Sequence, residues 1–118
     1  MADMKSTMIK HSNGLKEWLL NGERHREDGP AVEWDDGTTL WYLNGERHRE
    51  DGPAAEYSDG SRFWYMNGKV HREDGPAFES PDGTKEWYMN GKELTMAEWV
   101  IASEKDPDTT AWLMLQYV

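Results

Sequence analysis

The chain has no cysteine, only two phenylalanines, no long apolar run, and too few cations to balance its carboxylates. Each shortage excludes something. Without cysteine there is neither a disulfide framework nor a thiolate zinc site, and a reducing compartment is the natural setting. No apolar stretch approaches the roughly 20 residues of a membrane span. The opening residues MADMKSTMIKHS also lack the apolar core of a secretory signal. A cytoplasmic protein with no membrane partner is therefore expected. Asp and Glu number 23 against 13 Lys and Arg, for a formal charge of −10. Direct nucleic-acid binding is not expected of such a chain, because it draws on Lys and Arg that displace counterions. The charge suits another protein with a basic surface.

What is present is aromatic and periodic. Seven Trp and five Tyr stand among 118 residues of only 36% hydrophobic content, so a few large rings carry much of the burial of one domain. Asn-Gly recurs at 21–22, 44–45, 67–68 and 90–91, a period of 23 residues. Asn13-Gly14, Asp36-Gly37, Asp59-Gly60 and Asp82-Gly83 keep the same period. So do the columns Trp18, Trp41, Trp64, Trp87 and Leu20, Leu43, Met66, Met89. The heptapeptide HREDGPA occurs at His25–Ala31, His48–Ala54 and His71–Ala77.

Both Asn-Gly and Asp-Gly accept positive φ at little cost and are strong hairpin signals. Between them lie short β-prone pieces such as AVEW (31–34) and TTLWYL (38–43). The expected fold is mainly β, an elongated antiparallel β-hairpin repeat stack over residues 1–94. It has a partial unit at 8–22 and full units at about 23–45, 46–68 and 69–91. The pattern stops at Leu94, where a fourth histidine would stand. Thr95 and Glu98 then make a capping box, with Met96, Trp99 and Val100 at helical spacing. Residues 95–118 are read as a C-terminal cap, with a helix over 95–104 and a second helix or a strand over 109–118. The cap blunts the last sheet edge; alternatively, its apolar face serves a homodimer.

Period-two alternation assigns the faces. The Trp and Leu/Met columns never turn polar, which predicts that they face the core. The column Glu17, Leu40, Phe63, Glu86 admits charge and is expected to see water. Leu40 and Phe63, flanked by Tyr42 and Tyr65, are then the candidate partner-binding surface, with Trp34 and Tyr57 next. Trp18, Trp41, Trp64 and Trp87 are expected to be structural, as are Gly29, Gly52 and Gly75 at the bends.

The stretch WY-x-NG-x-x-H (Trp41–His48, Trp64–His71) and the stretch G-x-A-x-E-Y-x-DG (52–60) carry a family resemblance on this 23-residue period. They resemble MORN repeats, and more closely the HREDGPA-bearing variants of bacteriophage and large-virus proteins. The resemblance covers residues 8–94 and leaves the tail aside. It departs from the family in placing Arg-Glu-Asp between the histidine and the glycine. The resemblance implies an elongated hairpin stack serving as scaffold and binding surface, with no particular chemistry.

The reactive letters of HREDGPA admit a structural explanation. Equivalent positions in stacked hairpins lie roughly 9–10 Å apart, so His25, His48 and His71 cannot converge on a zinc ion that needs ligands at about 2.0–2.2 Å. Nothing matches a calcium-binding EF-hand loop, and copied side chains are unlike the unique constellation of an active site. No catalytic residue, cofactor or metal is expected. Instead Gly shapes the bend, Pro starts a strand, Asp accepts from the turn, Arg reaches neighbouring carboxylates and His donates to a carbonyl. The leading expectation is a non-catalytic protein-binding module; its viral resemblance suggests an inhibitor that binds and blocks a host or defence protein. The alternative is an acidic nucleic-acid mimic directed at a DNA- or RNA-binding enzyme, with Glu33, Asp35, Asp36, Glu56, Asp59, Glu79 and Asp82 as its phosphate-like row.

Overall fold

Two kinds of turn alternate along the chain, and each is set by its sequence. At Asn21, Asn44, Asn67 and Asn90 φ is 51–53°, and the following glycines lie at 81–83°, the two-residue turn of tight hairpins. Asn13, Asp36, Asp59 and Asp82 instead accept, through Oδ1, the backbone N–H two residues on, at 2.8–3.1 Å. The glycine inside each of these turns has φ of 91–95°.

A computed structural model of the protein describes residues 5–103 together with Asp108, Thr109, Ala111, Trp112 and Leu115. The first unit contributes β1 (Thr7–Lys10), β2 (Lys16–Leu20) and β3 (Glu23–Arg24). The next contributes β4 (Val32–Glu33), β5 (Thr39–Leu40), β6 (Tyr42–Leu43) and β7 (Glu46–Arg47). Then follow β8 (Ala55–Glu56), β9 (Arg62–Phe63), β10 (Tyr65–Met66) and β11 (Lys69–Val70). Last come β12 (Phe78–Glu79), β13 (Lys85–Met89), β14 (Lys92–Leu94) and the helix α1 (Met96–Ala102). The main sheet runs β1-β2-β4-β5-β8-β9-β12-β13-β14, with β3 beside β2, while β6–β7 and β10–β11 form separate hairpins. The fold is thus mainly β, a stack of antiparallel hairpins with a helical C-terminal segment.

The register repeats with the sequence. Within the Asp-Gly hairpins Val32 pairs with Leu40, Ala55 with Phe63 and Phe78 with Glu86. Between units Glu17 pairs with Val32, Leu40 with Ala55 and Phe63 with Phe78. The chain leaves the main sheet at Trp41 and Trp64, and the N–H groups of Trp18, Trp41 and Trp64 donate to the carbonyls of Ala31, Ala54 and Ala77 at 2.7–2.8 Å. Those three alanines are wholly buried, because two backbones close on either side of them.

The packing overturns the expected faces, except that Trp87, 7% exposed, lies in the core as expected. Leu40 is 8% exposed and clusters with Leu15, Val32 and Ala55, against which Tyr42, Tyr57, Phe63 and Tyr65 pack. Trp18, Trp41 and Trp64 are only half-buried. The misleading charges stand near the two ends of the stack. Glu17 takes hydrogen bonds from Arg24 at 3.0 Å and meets His11 at 2.7 Å. Glu86 meets the Tyr88 hydroxyl at 3.2 Å. A column that turns polar at its ends is still apolar where units cover both sides of it.

The helix closes the other end. Thr95 accepts from the Glu98 N–H, and the Glu98 carboxylate accepts from the Thr95 N–H, completing the expected box. Trp99, 1% exposed, packs on Trp87 with ring centroids 4.7 Å apart. Of the segment 109–118, Thr109, Ala111, Trp112 and Leu115 are in helical conformation; its other residues lie outside the described residues.

The acidic turns make stability pH-dependent. The Thr38 N–H holds the Asp36 carboxyl below its ordinary value, and the Ser61 N–H does so for Asp59. At Asp82 the Ser80 hydroxyl and then the Thr84 N–H bring it from 3.8 down to about 2. A lowered native value means the stabilisation is present at neutral pH and lost as the carboxylates protonate, from about pH 4 toward pH 2. The unfolding midpoint should fall over that interval. In Asp36→Asn/Asp59→Asn/Asp82→Asn the fall should be shallower, since Asn13 already makes the same turn without titrating. Thermal unfolding at stepped pH measures both.

Candidate functional site

The HREDGPA bends stack beside one another, and each is a knot of hydrogen bonds. The Arg49 guanidinium lies over the Trp41 ring, 3.9 Å from its centroid. From there Nε donates to Asp51 at 2.9 Å and Nη1 to the Pro53 carbonyl at 3.1 Å, with Glu56 at 3.6 Å. Arg26 repeats this over Trp18 with Asp28, Pro30 and Glu33, and Arg72 over Trp64 with Asp74, Pro76 and Glu79. The Arg49 guanidinium holds the Asp51 carboxyl below the usual range. The bend glycines are needed for this approach and not for a positive φ. A Cβ on Gly29 or Gly52 would lie 2.8 or 2.9 Å from the Cζ of Arg26 or Arg49.

The histidines tie one unit to the next, as acceptors where the sequence suggested donors. Nδ1 of His25, His48 and His71 accepts the N–H of Asn44, Asn67 and Asn90 at 2.9–3.0 Å. A ring nitrogen that accepts carries no proton, so the proton of the neutral imidazole sits on Nε2. His48→Ala should therefore cost about 1–2 kcal/mol, the worth of a partly buried hydrogen bond and the packing around it. Denaturant titration measures it, and an unchanged midpoint would remove the histidine from the joint.

Two like clefts lie between consecutive bends, and a third lies before the first bend. One of about 530 Å³ is floored by Trp64, Met66 and His71 and walled by Glu50, Asp51, Glu73 and Asp74. The next, about 360 Å³, has Trp41, Leu43 and His48 on its floor and Glu27, Asp28, Glu50 and Asp51 on its walls. The third, about 320 Å³, has Trp18 and His25, with Lys5 and Ser6 where an earlier bend would stand. Arginines enter the walls too, but each is already matched by its own Asp and by Glu33, Glu56 or Glu79. Among the described residues Glu27 makes no hydrogen bond or ion pair, and Glu50 comes only within 4.0 Å of His48. The free charge of the clefts is negative.

The surface expected from the sequence is built differently. Leu40 is buried, and Tyr42, Tyr57, Phe63 and Tyr65 are half-buried around it. Arg47 donates to the hydroxyls of Tyr42 and Tyr65 at 3.3 and 3.2 Å. Burial opposes ionisation of Tyr42, but the hydrogen bonds and charges of Arg47 and Arg24 together outweigh it and lower the phenol below its ordinary value. Of the six candidate contact residues only Trp34, 38% exposed, stands open. Sequence reasoning passed over Glu27, Glu50 and Glu73. The available signal was an excess: one acid per bend suffices to hold its arginine, and HREDGPA carries two.

Among the described residues no group of three or more His, Asp or Glu is disposed to hold a metal ion, and no helix is long and apolar enough to cross a membrane. Stacked hairpins with repeated clefts define an antiparallel β-hairpin repeat protein. No family model matches the chain, and neither does any curated protein or solved structure.

Proposed function

We propose that this chain is a non-catalytic protein-binding module whose partner presents a basic surface to the clefts between the bends. The observation that carries the reading is the threefold cleft: aromatic or Met/Leu floor, histidine, and carboxylates in excess of what the bends use. Copies along a ladder suit binding over a length better than chemistry at a point. The resemblance to viral repeats extends the reading to an inhibitor that occupies and blocks a host or defence protein. The carboxylates of a nucleic-acid mimic are largely engaged inside the fold, Glu33, Glu56 and Glu79 with arginines and Asp36, Asp59 and Asp82 in turns. That favours the protein-binding reading.

Affinity capture from bacterial lysate should recover a stoichiometric partner that is released by moderate salt. The partner should be lost from Glu27→Lys/Glu50→Lys/Glu73→Lys, a variant whose exposed substitutions leave the core untouched. A partner retained equally by the variant places binding elsewhere; capture of none by the unaltered protein counts against a binding module.

A further inference from the structure

The chemistry of the clefts narrows the partner to one kind of segment. His25 is 7% exposed, and its Nδ1 is occupied by the Asn44 N–H. Its Nε2–H has no partner among the described residues. Every fully buried side-chain nitrogen and oxygen there is hydrogen-bonded, so Nε2 must keep some contact with solvent, and His25 lines the first of the clefts. The cleft therefore offers a fixed, otherwise buried donor in need of an acceptor, beside carboxylates in need of a cation. His48 repeats the donor 4.0 Å from Glu50, and His71 repeats it 3.2 Å from Glu73, a hydrogen bond that a ligand would exchange for its own. A peptide supplies both complements, a main-chain carbonyl and a Lys or Arg side chain.

Pitch then selects the conformation. Two strands of the main sheet separate one cleft from the next, which is roughly 9.4–9.8 Å. A polyproline II segment returns to the same side every three residues, about 9.3 Å, and leaves its carbonyls free. A β-strand returns every two residues, about 6.6–6.8 Å. A helix has no whole number of turns in that distance, since two turns take about 10.8 Å. Only the polyproline II repeat stays in step across the row.

We propose that the row of clefts is a track for one extended, polyproline II segment of a partner protein with a lysine or arginine at every third residue. This rests on the protein-binding reading above. The cations lie in the three clefts against Glu27, Glu50 and Glu73, while backbone carbonyls take the Nε2–H of His25, His48 and His71. The half-buried Trp41 and Trp64 give the proline rings an apolar floor, as aromatic grooves do for such segments.

The test is calorimetric titration of the full chain with two acetylated, amidated peptides of the same charge and composition. One repeats the triplet Arg-Pro-Pro four times; its isomer carries all of the arginines first and all of the prolines after them. At low salt the every-third peptide should bind about tenfold more tightly than the isomer, the worth of a few exposed ion pairs gained in register. Glu27→Gln/Glu50→Gln/Glu73→Gln, checked for an unchanged far-UV spectrum, should lose about that factor. Proton NMR should show the His25 Nε2–H slowed in exchange only with the every-third peptide. Equal affinity for the two isomers, or binding of neither, overturns the proposal. If neither peptide binds while glutamate-dependent capture of an intact partner persists, the track is wrong and the binding module stands; failure of the capture removes both.

Discussion

Trp99→Ala should destabilise the protein by about 3–5 kcal/mol, the cost of emptying a buried tryptophan site. The residue is 1% exposed, lies on Trp87, and donates its Nε1–H to the Arg72 carbonyl at 2.8 Å. Three losses coincide in the variant: a large cavity, a carbonyl without its donor, and the anchor of α1. A helix of 7 residues does not persist in water without tertiary contacts, so its ellipticity should vanish with the anchor. The last hairpin, with Trp87 and Met89, would then face solvent. Urea unfolding followed by far-UV dichroism measures both effects. A loss below about 1 kcal/mol would show that the helix does not cap the stack. Earlier in the row, arginines cover Trp18, Trp41 and Trp64 at 3.9–4.0 Å. At Trp87 an indole takes that role, and with it the ladder ends.

Arg49→Ala is the second large effect, at about 2–3 kcal/mol. The side chain is 21% exposed, and its guanidinium stacks on Trp41 and donates to the Pro53 carbonyl at 3.1 Å. Its exposed pair with Asp51 adds little. Both main terms depend on a planar, forked cation, so Arg49→Lys should recover less than half of the loss. Equilibrium unfolding of the three proteins decides it. Full recovery by lysine would mean that the stack and the fork are immaterial and that only a positive charge is needed. Because Arg49 also covers the Trp41 ring beside a cleft, its loss should change the Trp emission; the Glu27, Glu50 and Glu73 substitutions should not unfold the bends.

Much of the fold is legible as punctuation. Asn-Gly and Asp-Gly act locally: a residue tolerant of positive φ sets a turn whatever surrounds it, and the strict 23-residue spacing repeats that turn. The capping box of Thr95 and Glu98 is equally local. Burial is not legible. Leu40 and Phe63 look exposed because glutamates share their column, but Glu17 and Glu86 stand near the ends, where units cover the column less completely. Similarly, nothing in a linear reading shows that Gly52 clears space for Arg49, since the contact depends on a side chain folding back over the bend.

By itself, then, the sequence determined the repeat, its turns, its antiparallel pairing and the place where the stack ends, all of them consequences of backbone preference within a few residues. Only the tertiary structure decided which face is core, that the imidazoles accept through Nδ1 and so keep a proton on Nε2, and that the acidic bends enclose clefts. Those properties belong to neighbouring units, formed when residues 23 apart come within one hairpin's width of each other.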